Sequence, residues 1–247
     1  MITRAAFELT AEERGKTITR LIESSYPGSL FFIMLVVSAI IAAIGLILNN
    51  ASIVIGSMLV APFLSPVLSL SMGIVLADFE LIKRSIVIIS KATGISIFVA
   101  AIFAMFIFVP RGYNSEILSR ALPSLPYLYI AIAAGVAAAF SVAKPYIAEF
   151  IVGVAVSVAL LPPLAVSGIG ISEFDAIVAL GAFQLYVVNL IGIIFAGVVI
   201  FSLMGFYPVR KQAEKAIKVE EEKLEHEKEE GQEVKKQHSK ASDIHKP

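Results

Sequence analysis

The sequence predicts an all-α, polytopic membrane protein of about six transmembrane helices, arranged as two inverted three-helix repeats with proline-broken second and fifth helices. Three observations carry this expectation. Hydrophobic residues make up 57% of the chain and charged residues 16%, and the strongly positive mean hydropathy excludes an ordinary soluble domain. The stretch from Ile53 to Glu80 suits a bilayer in length and apolarity, yet it carries Pro62 and Pro66 near its middle. Each proline lacks an N–H donor and clashes with the carbonyl one turn back, so a broken membrane helix is expected. The same phrase returns in the second half, where Ile151-Val152-Gly153 leads to Leu161-Pro162-Pro163-Leu164. Gly73-Ile74-Val75-Leu76-Ala77-Asp78-Phe79-Glu80 falls without a gap over Gly168-Ile169-Gly170-Ile171-Ser172-Glu173-Phe174-Asp175, although upstream the prolines fall out of step.

The elements follow in order. Residues 1–28 are polar and basic, and Thr10 and Glu13 are spaced as a capping box before a short amphipathic helix carrying Ile18, Leu21 and Ile22. This helix is expected at the cytoplasmic membrane surface. The first apolar run begins only near Ser29, is as long as a full span and lacks a cleavage site, so it is expected to remain in the mature protein. A first membrane repeat occupies 29–109: a helix from about Ser29 to Leu48, the broken element from about Ala51 to Leu76, and a third from about Lys83 to Val109. A proline-containing connector, 110–126, separates it from a second repeat over 127–207. There the fourth helix, from about Tyr127 to Ala143, places Gly135 and Ala139 on one small-residue face that permits close contact, including self-association. The fifth runs from about Ile147 to Ile171 and the sixth from about Ala176 to Gly205. Residues 208–247 are expected to form a charged cytoplasmic tail, helical and then partly disordered.

Basic residues set the orientation. With both termini in the cytoplasm, Arg14, Lys16, Arg20, Lys83, Arg84, Lys144, Arg210 and Lys211 lie inside and only Arg111 and Arg120 outside. Six of the seven tyrosines fall near predicted span ends, where amphipathic rings prefer the interface. Three crossings per half force the second copy to enter upside down, the arrangement used by alternating-access transporters.

Ile55-Gly56-Ser57-Met58-Leu59-Val60-Ala61-Pro62, Leu160-Leu161-Pro162-Pro163-Leu164-Ala165 and the Phe183 to Ile191 run with Asn189 resemble a prokaryotic family called domain of unknown function 389. The resemblance covers roughly residues 29–205. It implies an integral membrane protein of bacteria or archaea, in a family without an established activity, many of whose members carry a larger soluble region.

Candidate binding residues lie where the membrane segments are polar or interrupted. Ser57, Pro62, Ser65 and Pro66 from one half, with Pro162 and Pro163 from the other, can expose half-helix ends to a shared cavity. Freed amides there would suit an anion and freed carbonyls a cation; the alternative is a set of packed proline kinks. Lys91 either snorkels to the inner headgroups or faces the bundle as an anion ligand. Gln184 and Asn189 either ligate a solute or alkali cation or hydrogen-bond between helices. The acid-Phe-acid loops serve as helix starts or cation vestibules.

Other chemistries find little support. The chain has no cysteine and three histidines, all in the tail without ligand spacing, so neither a metal site nor a thiol nucleophile is expected. No nucleophile with its base falls inside the spans, so the protein is not read as an enzyme, and no cofactor or nucleic acid is expected. The reading is a prokaryotic cell-membrane transporter or channel for a small solute or ion, in contact with lipid and in a possible homo-oligomer. The competing class is a scaffold or sensor that recruits a partner through its charged tails; deleting residues 212–247 would cost a scaffold its partner and leave a transporter its flux.

Overall fold

The computed structural model describes residues 9–107, 112–144 and 149–206. The charged tail, the start of the connector and both ends of the chain lie outside them. Among the described residues all regular structure is helical: α1 Ala11–Glu23, α2 Ser29–Ile47, α3 Ala51–Val60, α4 Leu64–Leu76, α5 Phe79–Phe106, the one-turn α6 Ser115–Leu118, α7 Leu125–Ala143, α8 Glu149–Ser172 and α9 Ala176–Leu203. Four of them, α2, α5, α7 and α9, are long and apolar enough to cross a membrane, and α3 with α4 makes a fifth if that bent pair is one span.

The capping box forms as its spacing predicts. The Thr10 hydroxyl accepts from the Glu13 N–H at 3.1 Å and the Glu13 carboxylate accepts from the Thr10 N–H at 2.8 Å, which holds the Glu13 carboxyl below its usual range. Helix α1 buries Ile18, Leu21 and Ile22. It docks on α4, whose Ser69 hydroxyl donates to the Leu21 carbonyl at 2.7 Å.

Three of the helix turns share one geometry. In each, a residue in the left-handed region (Asn49 at φ 51°, Ala77 at 51°, Phe174 at 59°) follows a helix end. The next N–H then reaches five residues back: Asn50 to Gly45, Asp78 to Gly73 and Asp175 to Gly170, all at 2.9 Å. This is a Schellman closure. Asn50, Asp78 and Asp175 go on to cap the following helix with their side-chain oxygens, so the acid-Phe-acid segments act as helix starts. The glycine is required by the return of the chain. A Cβ on Gly45, Gly73 or Gly170 would lie 2.8, 3.2 or 2.6 Å from the backbone nitrogen of Val54, Ile82 or Ala179 respectively.

These turns correct the register in which the halves were first compared. Gly73 is equivalent to Gly170 and Asp78 to Asp175, a shift of 97 positions, whereas the gapless octet slid them by two. The same shift takes Phe79–Phe106 onto Ala176–Leu203 end to end and sets Pro66 on Pro163. It also exchanges two contacts. A Cβ on Gly168 would lie 2.8 Å from that of Ala100, and a Cβ on Gly197 would lie 2.9 Å from that of Ser71. Ser71 and Gly168 are 97 positions apart, as are Ala100 and Gly197, so these are one contact with the halves swapped.

The small-residue face of α7 is used within the chain. A Cβ on Gly135 would meet the Ile193 carbonyl at 2.8 Å, so α9 fills the groove proposed for self-association. The connector is likewise anchored: the Asn114 side-chain amide donates to the Leu46 carbonyl at 2.7 Å, and the Ala121 carbonyl sits against Gly181 of α9. Burial, with the Asp175 carboxylate nearby, pushes the Tyr113 phenol up to about 12.

One expectation fails outright. The fifth element is not broken: Pro162 and Pro163 lie inside the continuous helix α8. Its physical reason lies thirty residues away, on α9.

Candidate functional site

The two proline segments are the most enclosed parts of the bundle. Every residue from Pro66 to Gly73 on α4 and from Ala159 to Gly170 on α8 is buried. In the first half the chain breaks where predicted. Helix α3 ends at Val60, Ala61 turns extended at φ −74° and ψ 121°, and α4 departs at 56° to α3. Pro62 occupies the break, where its missing N–H is not demanded. Ser65 and Pro66 occupy the first turn of α4, where a helix has no intrahelical use for an N–H. The buried Ser57 hydroxyl is satisfied by its own helix, donating to the Val54 carbonyl at 2.6 Å. The Ser65 carbonyl lies 2.8 Å from the Ser69 hydroxyl, whose single proton it shares with the Leu21 carbonyl.

In the second half Pro162 and Pro163 remain helical; Pro163 is the counterpart of Pro66, while Pro162 falls on Ser65 and Pro62 on Ala159. Pro162 and Pro163 deprive the carbonyls of Val158 and Ala159, one turn back, of their donors. The Asn189 side-chain amide on α9 supplies one of them, donating to the Ala159 carbonyl at 2.9 Å. This removes the cost of one buried, unpaired carbonyl and lets α8 run through. The first half has no such donor, because the residue 97 positions before Asn189 is Ala92. Asn189 therefore does make the interhelical hydrogen bond that was one of its two expected roles. Asn189 is 1% exposed, and its Oδ1 is buried without a hydrogen-bond partner among the described residues.

The remaining candidates are dispersed. Lys91 on α5 and Gln184 on α9 both stand on the exposed face of the bundle, away from the enclosed proline segments. For Lys91 this is the geometry that snorkelling requires, since a helical side chain tilts toward the N-terminus, here the Lys83 end. A polar pair that went unnoticed in the sequence joins α5 to α9: the Thr93 and Tyr186 hydroxyls are 2.6 Å apart. The signal was available, because Tyr186 is the one tyrosine placed away from a predicted span end.

The described buried polar side chains are Thr17, nine serines and Asn189, so the interior presents neutral hydroxyl, amide and carbonyl groups. No group of three or more His, Asp or Glu residues could hold a metal ion among the described residues. Helix α3 packs along α8, and α9 packs along both α4 and α8. The broken and the unbroken proline segments thus belong to one connected set of helices.

Comparison with known proteins adds family but no activity. The family model described as "Domain of unknown function (DUF389)" matches residues 58–195, a range that includes the α3–α4 break, the proline turn of α8 and Asn189. An uncharacterized protein of Methanocaldococcus jannaschii, MJ0678, is 33% identical over 178 residues, covering 72% of this chain and 55% of its own length. The chain thus spans about half the length of that curated relative. No solved structure matches. The motifs around both proline segments and the extent of the family match agree, and the chain belongs to the DUF389 family.

Proposed function

We propose that the protein is a transporter or channel for a small solute or ion, built as two three-helix units of opposite orientation in a prokaryotic cell membrane. Six crossings are then α2, the α3–α4 pair, α5, α7, α8 and α9, with both termini cytoplasmic and the site between the two proline segments. One observation carries the reading: segments matched by the 97-residue shift have different conformations, broken at Pro62 and continuous through Pro162 and Pro163. Exchange of the Ser71·Gly197 and Gly168·Ala100 contacts is what a two-fold axis relating the units produces. Two copies of one unit held in two conformations are the raw material of alternating access, in which each copy takes the other's shape in turn.

The test is flux through proteoliposomes, measured as current and as uptake of sodium, rubidium, chloride and small neutral solutes. Wild-type protein is expected to exceed empty vesicles for at least one of these. A variant combining Pro62→Ala with Pro162→Ala, which favours straight helices in both halves, is expected to lose at least tenfold of that rate. Flux indistinguishable between the two proteins, or no flux from the wild type, overturns the proposal.

A further inference from the structure

The two stretches that precede α2 and α7 are copies of one element. A shift of 96 positions takes Ser29–Ile47 onto Leu125–Ala143 end to end, and it sets Pro27 on Pro123 just ahead of each helix. The same backbone bond opens both: the Phe31 N–H donates to the Gly28 carbonyl at 3.1 Å and the Tyr127 N–H to the Ser124 carbonyl at 3.2 Å. Carried further back, the shift sets the end of α1 on the connector that holds α6. Leu21 falls on Ile117, 2% and 1% exposed, and the bond from the Ser25 N–H to the Ile22 carbonyl falls on that from Ala121 to Leu118.

Their contacts also exchange. The Arg84 guanidinium of α5 lies 4.5 Å from the centre of the Tyr26 ring, and a Cβ on Gly181 of α9 would lie 3.9 Å from Leu122. Tyr26 and Leu122 are 96 positions apart and Arg84 and Gly181 are 97 apart, so this is one contact with the halves swapped. Across the bundle, α1 packs on α7 and α6 packs on α2. The Thr10 hydrogen bonds hold the Glu13 carboxyl below its usual range, and Lys144, the C-cap of α7, adds to them. In the other half, the Asn114 amide holds the Leu46 carbonyl near the end of α2. Each element belongs in sequence to one half and fastens the end of the other half's first helix.

We propose, resting on the transport reading, that α1 and the α6 connector are one latch built twice, α1 closing the cytoplasmic face and the connector the outer face. Each face opens only when its own latch lets go of the other half. On the inside, α1 holds α4 through the Ser69 hydroxyl and α7 through the Lys144 end, so the halves cannot part there while it is docked. On the outside, the Ser115 hydroxyl and the Glu116 N–H both donate to Asn49 Oδ1, at 3.1 and 3.2 Å, and the Tyr113 phenol meets the Asp175 carboxylate. The connector thereby ties the α2–α3 turn of one half to the α8–α9 turn of the other. Both latches are docked here, which makes this the state closed at both faces. Two equivalent gates on opposite faces are what a two-conformation exchange between the halves requires.

The chain has no cysteine, so introduced pairs test this without background. Glu13→Cys with Lys144→Cys ties α1 to the end of α7, and Asn49→Cys with Ser115→Cys ties the connector to the α2–α3 turn. Each pair is bridged in proteoliposomes with a short bis-methanethiosulfonate and released with dithiothreitol, the single-cysteine proteins serving as controls. Flux of the sodium, rubidium, chloride or neutral solute that the wild type carries is expected to fall about tenfold or more with either bridge and to return on reduction. Flux that persists through either completed bridge overturns the proposal. Opening is also read without flux, by maleimide alkylation of Leu21→Cys and Ile117→Cys in detergent. Both are expected to react about tenfold faster than Leu35→Cys, which is fully buried on α2; equal rates overturn the latches. Failure of the transport reading looks different: no wild-type flux with rapid alkylation at both positions leaves the latches standing, whereas flux with slow alkylation leaves only transport.

Discussion

The first half, from Ser29 to Phe106, and the second, from Leu125 to Leu203, place their proline segments at equivalent positions and give them different shapes. Pro66 and Pro163 correspond, yet the chain breaks before the first and runs straight through the second. A proline alone therefore does not decide whether a membrane helix breaks. Two differences separate the halves: the break falls at Pro62, whose counterpart 97 positions on is Ala159, and Asn189 pairs the Ala159 carbonyl that Pro163 leaves unbonded, whereas its counterpart in the first half is Ala92.

Substitutions can break or sharpen this comparison. The largest effect is expected at the turn glycines. Gly170→Ala drives a methyl group toward the Ala179 nitrogen at 2.6 Å, whereas at Gly73 the nearest obstacle is the Ile82 side chain at 3.0 Å. Overpacking of this kind costs about 1–3 kcal/mol, and Gly170→Ala should lie at the upper end with Gly73→Ala clearly below it in detergent unfolding. Equal losses would mean that the two hairpins tolerate a methyl group alike, despite the closer approach at Gly170.

Asn189→Ala comes next. It leaves the Ala159 carbonyl unpaired and is expected to cost about 1–3 kcal/mol, with Pro163→Ala recovering most of the loss by restoring an N–H to that carbonyl. Purely additive single and double variants would show that the pair is not coupled and that the asymmetry between halves has another origin.

The smallest effect concerns the left-handed turn positions. Phe174 holds φ 59° while 94% exposed, so its side chain gains little burial in return for an unfavourable backbone. Phe174→Gly is expected to stabilise by about 1 kcal/mol, and Asn49→Gly by less, because asparagine tolerates this region. A loss of stability at Phe174→Gly would indicate that its exposed ring is held by lipid.

Much of the architecture was legible in the sequence because it depends on neighbours along the chain. The capping box of Thr10 and Glu13, the start of α2 at Ser29, the end of α7 at Ala143 and the interruption at Pro62 all follow from residues within a turn or two. The third helix was placed four residues short because Asp78 was not recognised as its cap. The internal likeness was visible too, but side-chain similarity around Phe79 and Phe174 set it two positions out. The fixed element is instead the five-residue step from Gly45, Gly73 and Gly170 to a capping Asn or Asp, a backbone requirement that resemblance of side chains does not reveal.

The sequence by itself determined that this chain is a bundle of apolar helices and where most of them begin and end, since hydrophobicity, caps and proline act locally. Only the tertiary structure decided that the fifth helix stays whole and that one oxygen of Asn189 has no hydrogen-bond partner among the described residues. A hydrogen bond between Asn189 and Ala159 joins residues thirty positions apart. Nothing in either residue's own neighbourhood announces the other; they meet only because α9 is packed against α8.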